Sequence, residues 1–163
     1  MQAQQLLDYI IKPTLEYMGG GYNSKDAQML LLATAAIESD CGFYIKQING
    51  PALGIWQMEP ATHDDIWENC DALKGMHFSA SINRLVDDVA WVNEYGNLIS
   101  NPMYACAMAR LKYSMDKAPL PSHKEIFEIY RYYKKIYNTP LGASTFQKFQ
   151  FAWDKHCLGK VKL

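Results

Sequence analysis

The spacing of hydrophobic residues is helical along nearly the whole chain, and it predicts a mostly α-helical fold. Within a predicted helix over residues 24–40, residues 29–37 (MLLLATAAI) are apolar nearly all round, which predicts that this helix runs through the core. Four other apolar faces recur at helical spacing: Ile82, Leu85, Val86, Val89 and Val92; Tyr104, Met108, Leu111 and Met115; Ile126, Ile129, Tyr130, Tyr133, Ile136 and Tyr137; and Phe146, Phe149, Trp153 and Cys157.

Capping residues and helix breakers predict the ends of these helices. Ser24 and Ser122 each precede a helical run, and Ser144 with Gln147 three residues later matches a capping box. Glycine and proline predict where the helices stop, at residues 19–21, Gly42, Pro119 and Pro121.

The helical period fails near residues 43–58, where glycine, proline and β-forming residues are concentrated. We expect an irregular segment or a short β-hairpin there, and loops held on a rigid scaffold commonly carry functional residues. The chain has no internal repeat, low-complexity tract or linker. Its 163 residues are therefore predicted to form a single domain, long enough to bury a core without cross-links.

The formal net charge of −1 disfavours nucleic-acid binding as the main activity. The charges are nevertheless unevenly distributed. Residues 1–111 hold 6 basic and 13 acidic side chains, whereas residues 112–163 hold 10 and 4. This basic C-terminal third is either an ordinary solvated face or a surface that contacts an anionic envelope.

Cysteine and histidine spacing indicates neither a metal site nor a cofactor. The four cysteines are widely separated with no CxxC pair, so we expect buried free thiols. His63, Asp64 and Asp65 are ligand-type residues, but no further ligand is spaced to complete a metal site. The N-terminus lacks the features of a secretory signal, and no apolar run is long enough to span a membrane, so we expect folding in a cytoplasm.

Glu38 is the strongest candidate for chemistry, because it lies at the C-terminal end of the apolar helix. The helix dipole is negative there and the surroundings are apolar, and both effects raise the pKa of a carboxyl group. A carboxylic acid that stays protonated near neutral pH suits general-acid catalysis. The alternative is that Glu38 lies beyond the core and faces water.

A second motif follows Glu38-Ser39. It consists of Gly54, Ile55, Trp56 and Gln57. Gln57 lies 19 residues after Glu38, and Pro60 follows three residues after Gln57. This arrangement resembles the soluble-type lytic transglycosylases and the goose-type lysozymes. The resemblance implies a lysozyme-like helical domain that cleaves the β-1,4 bonds between N-acetylmuramic acid and N-acetylglucosamine in peptidoglycan, with Glu38 as the acid.

Weaker similarities extend along the chain. Asn101 begins a helical run like the family's helix beneath the cleft, although Ala105 stands where glycine is usual. Tyr137 and Asn138 resemble a late family motif whose tyrosine lies near the catalytic acid, which implies that both bind substrate. The alternative for Tyr137 is an ordinary core tyrosine.

The resemblance also implies further substrate-binding residues. The amide of Gln57 suits reading of a sugar N-acetyl group, because it both donates and accepts, although it could instead bond within its own loop. Trp56 and Tyr44 are candidates for the floor of a sugar site, and the alternative for Trp56 is packing that pins the loop. Ser39 belongs to the Glu-Ser pair and is assigned to the same group.

The role of Glu59 distinguishes hydrolysis from transglycosylase chemistry. Goose-type lysozymes have an acidic residue at this position, and a second carboxylate could activate water for hydrolysis. The alternative is a surface Glu favoured by the dipole of the next helix. Asp40, Asp64 and Asp65 are lesser candidates. Because Glu38 is the better-supported group, we slightly favour transglycosylase chemistry, in which the sugar's own 6-hydroxyl closes a 1,6-anhydro ring.

The chain also looks like a phage-encoded endolysin or a virion-associated lysin, which acts on the wall after release or from the virion. We expect a monomer. A catalytically silent virion structural protein or glycan-binding protein of the same fold is the alternative. A helical nucleic-acid binder is a third, disfavoured by the net charge and by the lack of a basic helix with base-reading spacing.

Overall fold

A computed structural model describes residues 1–86, 95–139 and 142–163, which are mostly α-helical and confirm that prediction. The α-helices are α1 (Ala3–Leu6), α2 (Lys12–Met18), α3 (Lys25–Ser39), α4 (Pro60–Asn69), α5 (Met76–Asn83), α6 (Gly96–Ser100), α7 (Pro102–Ser114), α8 (Ile126–Tyr133) and α9 (Phe146–His156). Two π-helical turns, Leu7–Ile11 and Lys134–Asn138, continue α1 and α8, and short 3-10 helices cover Gly20–Tyr22 and Asp71–Lys74. The predicted helical positions Val89 and Val92 lie outside the described residues.

Helix α3 runs through the core, as its all-round apolar sequence predicts. Every residue from Ala27 to Ala36 is buried, and the helix packs against α1, α7, α8 and α9. The hydroxyl of Ser24 accepts a hydrogen bond from the backbone N–H of Ala27 at 3.1 Å, so the predicted N-cap is confirmed. The helix ends at Ser39, and the left-handed conformation begins at Asp40.

Two predicted helix starts are wrong. Helix α8 begins at Ile126 rather than after Ser122, and the backbone N–H of His123 in the preceding turn donates to the carboxylate of Asp26 on α3. Helix α9 is capped by Thr145, whose hydroxyl accepts from the N–H of Lys148, and not by Ser144.

Helix α7 begins where expected. The side-chain oxygen of Asn101 accepts a hydrogen bond from the N–H of Tyr104 at 3.0 Å, and Asn101 is the N-cap. Ala105 and most of the helix are buried, and α7 packs against both α3 and α4. The helix led by Asn101 therefore supports the elements on which the candidate site is built.

The segment between α3 and α4 is irregular, as predicted. Its β-type pairing consists of isolated antiparallel bridges, Lys46 with Leu53 and Leu53 with Met58. Gly54 has φ +75°, and a Cβ added there would lie 1.9 Å from the carbonyl oxygen of Leu98. Only glycine fits this close approach of two backbones. The motif glycine is thus a packing requirement of the loop.

All four cysteines are free and buried, which confirms the prediction made from their spacing. In the described part of the chain, no group of three or more His, Cys, Asp or Glu side chains is arranged to hold a metal ion. Among residues 1–86, 95–139 and 142–163, no helix is both long enough and apolar enough to cross a bilayer.

Candidate functional site

A cavity of about 550 Å³ opens where the end of α3, the irregular segment and the turn after α8 meet. We call it the cleft. Most of the side chains around it are polar, and its walls are formed by Ile37, Glu38, Gln47, Ala52, Gln57, Met58, Glu59, Thr62, Lys112, Tyr133, Tyr137, Asn138, Thr139, Gly142, Ala143, Ser144 and Lys148. Glu38, Gln57, Glu59, Tyr137 and Asn138, five of the residues predicted from the sequence, are thereby brought together.

Glu38 is a partly buried carboxyl group on the wall of this cleft. Burial raises its pKa to about 7, and a hydrogen bond from Tyr133 acts in the opposite direction. Among the ion pairs of the described residues, none includes Glu38. Near neutral pH the group is therefore available as a proton donor, and it is not neutralised by a neighbouring cation.

Tyr133 is the functional residue that sequence analysis missed. Its hydroxyl donates to Oε1 of Glu38 at 2.6 Å, while its ring is buried against Phe149 and Tyr137. The sequence placed Tyr133 in an apolar helix face, where a phenol must still find a hydrogen-bond partner. That requirement was the available signal, but it does not identify the partner.

Tyr137 lies one turn beyond Tyr133 and lines the same cleft, but it does not contact the acid through a hydrogen bond. Its hydroxyl donates to the carbonyl oxygen of Trp56 at 2.9 Å. The ring stacks on Tyr113 of α7 at 5.3 Å. Tyr137 thus ties the wall of the cleft to the irregular segment, and Tyr133 is the residue that contacts Glu38.

Ser39 and Trp56 are fully buried, and neither side chain lines the cleft. The Ser39 hydroxyl donates to the carbonyl oxygen of Ile55 at 2.5 Å and accepts from the N–H of Gly42 at 2.8 Å. The indole N–H of Trp56 donates to the carbonyl oxygen of Leu31 at 2.9 Å. Both side chains fasten the irregular segment to α3, because buried polar atoms must be satisfied.

Gln57 and Asn138 line the cleft while making local hydrogen bonds. The amide nitrogen of Gln57 donates to the carbonyl oxygen of Gly54 at 2.7 Å, which orients the side chain within its loop. The side-chain amide oxygen Oδ1 of Asn138 accepts from the ammonium group of Lys134 at 2.7 Å. Each amide retains hydrogen-bonding capacity beyond this one contact, since an amide offers two donors and an acceptor oxygen with two lone pairs.

Glu59 lies on the same cleft as Glu38 and is exposed. It occupies the N-cap position of α4, where its backbone carbonyl accepts from the N–H groups of Thr62 and His63. Its carboxylate makes no capping hydrogen bond. The positive end of the α4 dipole still favours an acidic residue at this position.

Asp40, Asp64 and Asp65 are less suitable than Glu59 as a second carboxylate that activates water. Asp40 forms ion pairs with Lys155, at 2.7 Å, and with His156. Hydrogen bonds from these two side chains lower the pKa of Asp40. Asp64 and Asp65 are not part of the cleft wall. Each makes hydrogen bonds with neighbouring side chains of the described chain.

Tyr44 lies on a second hollow of about 560 Å³ that shares Ile37, Glu38 and Lys148 with the cleft. The other side of this hollow is formed by α9, including Phe151 and Ala152. Tyr44 is thus placed beside Glu38 but not in the cleft itself. Glu38 therefore lies between two concave surfaces rather than at the end of one.

No family model matches this chain, and comparisons with curated proteins and with solved structures give no significant match. The interpretation of the site consequently depends on its own geometry and on the motif carried by residues 38–60.

Proposed function

We propose that this chain is a peptidoglycan muramidase of lysozyme-like architecture, with Glu38 as the general acid. The observation that carries the proposal is the Glu38 carboxyl: it ends a buried helix, lies on a polar cleft and has a pKa of about 7. Retention of a proton near neutral pH is what a glycosidase acid needs in order to protonate the leaving oxygen.

The hydrogen bond from Tyr133 supports a defined proton position. Because Oε1 of Glu38 accepts from the phenol, the acidic proton is expected on the other oxygen, Oε2. In the proposed reaction Glu38 gives this proton to the oxygen between two aminosugars as the bond to the ring carbon breaks. Positive charge then develops on the ring as an oxocarbenium-like species.

The two concave surfaces flanking Glu38 favour a polymeric substrate. A chain that is cut internally must extend on both sides of the acid, and the cleft and the second hollow provide a surface on each side. The amides of Gln57 and Asn138 in the cleft suit the N-acetyl and hydroxyl groups of a glycan.

Of the two chemical outcomes we favour the lytic transglycosylase. Glu59 has a sufficient structural reason for its position at the start of α4, because the positive end of that helix dipole favours an acidic residue. In this outcome the substrate's N-acetyl group stabilises the charge, and its 6-hydroxyl oxygen bonds to the ring carbon to close the 1,6-anhydro product while the hydroxyl proton passes to the Glu38 carboxylate. We further propose that the protein acts as a monomer, as a phage endolysin or a virion-associated lysin, on the wall of the host cell.

Zymography of the purified protein on bacterial cell walls tests the proposal, with Glu38→Gln as the matched variant. The glutamine keeps the shape but cannot donate the acidic proton, so lysis should fall by at least about 100-fold while the fold remains intact. Near-normal lysis by a folded variant would remove Glu38 from the mechanism. Wall binding without lysis by the parent protein would instead support the silent structural or glycan-binding alternative.

A further inference from the structure

The tip of the irregular segment exposes an unusual set of large apolar side chains. Phe43 is 72% exposed, Ile48 74%, Ile45 51% and Tyr44 46%. Single exposed apolar residues are common on proteins, but four within six consecutive positions form a contiguous feature, and such features mark interaction sites.

These side chains are presented by a hydrogen-bonded backbone. The N–H groups of Phe43 and Tyr44 both donate to the carbonyl oxygen of Ser39, and the carbonyl oxygen of Ile45 accepts from the N–H of Gly54 at 2.8 Å. A surface that is already ordered loses less conformational entropy when it binds. The tip is therefore an ordered surface, which reduces the entropy lost when it binds a partner.

Helix α9 continues this surface. Phe151 is 71% exposed and lies with Tyr44 on the second hollow, which Lys148 also lines. We call the combined set the tip surface: Phe43, Tyr44, Ile45, Lys46, Ile48, Lys148 and Phe151.

The tip surface itself carries two basic residues, Lys46 and Lys148, and no acidic residue. Residues 42–58 contain Lys46 and no acidic residue. Two carboxyl groups line the hollow: Asp40, which is already paired with Lys155 and His156, and Glu38, which is partly buried and has a pKa of about 7. Asp154 is the acidic residue of α9, which also carries Lys148 and Lys155. An anionic partner therefore meets little opposing charge here.

We propose that the tip surface binds the headgroup region of anionic phospholipid membranes. Aromatic and aliphatic side chains enter the boundary between headgroups and acyl chains, while flanking lysines are attracted to the negative surface. Protruding side chains beside cations fit a fluid anionic surface better than they fit a rigid protein, which would need a matching concave face. The proposal does not rest on the muramidase activity, and Phe43, Ile45 and Ile48, which carry the test below, do not line the second hollow assigned to the glycan.

The test is co-sedimentation of the whole protein with vesicles of phosphatidylglycerol and phosphatidylcholine in equal amounts, and with vesicles of phosphatidylcholine alone. We expect binding to the anionic vesicles that weakens as salt is raised, and at least about tenfold weaker binding to the neutral ones. The variant Phe43→Ser/Ile45→Ser/Ile48→Ser should lose at least about tenfold in binding to anionic vesicles.

A control variant distinguishes vesicle binding by the tip surface from binding through any exposed apolar residue. Tyr9→Ser/Met76→Ser removes two residues that are equally exposed, at 75% and 80%, but lie on other elements, and it should bind vesicles like the parent. Lys46→Gln/Lys148→Gln should weaken binding to anionic vesicles and flatten its salt dependence. Thermal unfolding checks that each variant is folded.

Three results would overturn the proposal. The parent protein could fail to bind anionic vesicles, or the folded tip variant could bind them as well as the parent does. The third is self-association of the parent that disappears in the tip variant, with no vesicle binding by either protein. That result would assign the surface to contacts between copies of this chain.

Discussion

The hydroxyl of Tyr133 donates a hydrogen bond to Oε1 of Glu38 across 2.6 Å, and this contact opposes the burial that raises the pKa of the carboxyl. Burial favours the neutral acid, whereas the phenol stabilises the carboxylate. The balance of these two effects gives a pKa of about 7. Replacing Tyr133 therefore tests how far this hydrogen bond lowers the pKa of Glu38.

Replacing Tyr133 by Phe should raise the pKa of Glu38 above about 7, because the hydrogen bond that lowers it is removed. A general acid is active in its protonated form, so the alkaline limb of the pH–activity profile should move upward by about one pH unit. The measurement is kcat/KM for wall degradation from pH 5 to 9. Tyr137→Phe is the control, since it removes the bond to Trp56 and should leave the limb where it is. An unshifted limb in the Tyr133 variant would contradict this account.

Glu38→Gln should increase the free energy of unfolding at alkaline pH. The folded-state pKa of about 7 lies above the ordinary value of 4.5 for an exposed Glu, so the folded protein holds the proton between these pH values while the unfolded chain releases it. Stability of the parent should therefore fall as pH rises from 4.5 to 7 and then level off, by roughly 3 kcal/mol. The glutamine variant lacks this loss. Urea unfolding at pH 5 and pH 8 measures the difference, and an equal pH dependence in both proteins would count against a buried acid.

Gly54→Ala should destabilise the fold strongly. The new Cβ would lie 1.9 Å from the carbonyl oxygen of Leu98, at a residue whose φ is +75°. Gly20→Ala is the control, because Gly20 also has positive φ, at +53°, but has open space around its Cβ position. We expect the Gly54 variant to lose at least about 2 kcal/mol more than the Gly20 variant in chemical denaturation. Equal losses would mean that the loop moves away from α6 without penalty.

Glu59→Gln should leave wall degradation within about threefold of the parent if the substrate's own groups complete the reaction, since a water-activating base would contribute about 100-fold or more. Mass spectrometry of the released muropeptides should then show 1,6-anhydro ends from both proteins. Reducing ends from the parent, together with an inactive Glu59 variant, would make the enzyme a hydrolase. The two products differ by one water, so the distinction is direct.

Much of the scaffold could be predicted from the sequence because local patterns dictate it. The all-round apolar run after Ser24 has one favourable environment, the core, and the position of Glu38 at the end of that helix follows. The irregular segment could be located because glycine and proline interrupt the helical period there. Helix boundaries are harder to predict: Ser144 and Thr145 are both good caps, and the structure has Thr145 as the N-cap of α9.

The hydrogen-bond partners and the burial of the site residues could not be predicted from local sequence patterns. Tyr133 and Tyr137 are four residues apart and share a face, so periodicity alone assigns them the same role. The two rings stack on each other and line the same cleft, but their hydroxyls donate to different acceptors, Glu38 and the backbone of Trp56, and the sequence carries no signal for that difference. Similarly, Trp56 in a motif suggests a sugar platform, whereas its depth of burial depends on how residues distant in sequence enclose it.

Ser39 and Trp56 fasten the base of the irregular segment to α3, whereas Phe43 to Ile48 form its outer tip. Base and tip are therefore separable parts of one loop. Sequence changes at the tip leave in place the hydrogen bonds that join this loop to α3, so the outer surface can change while the geometry of the cleft is kept. For engineering, the tip is the position for grafting a new targeting sequence, and the base is the part to leave untouched.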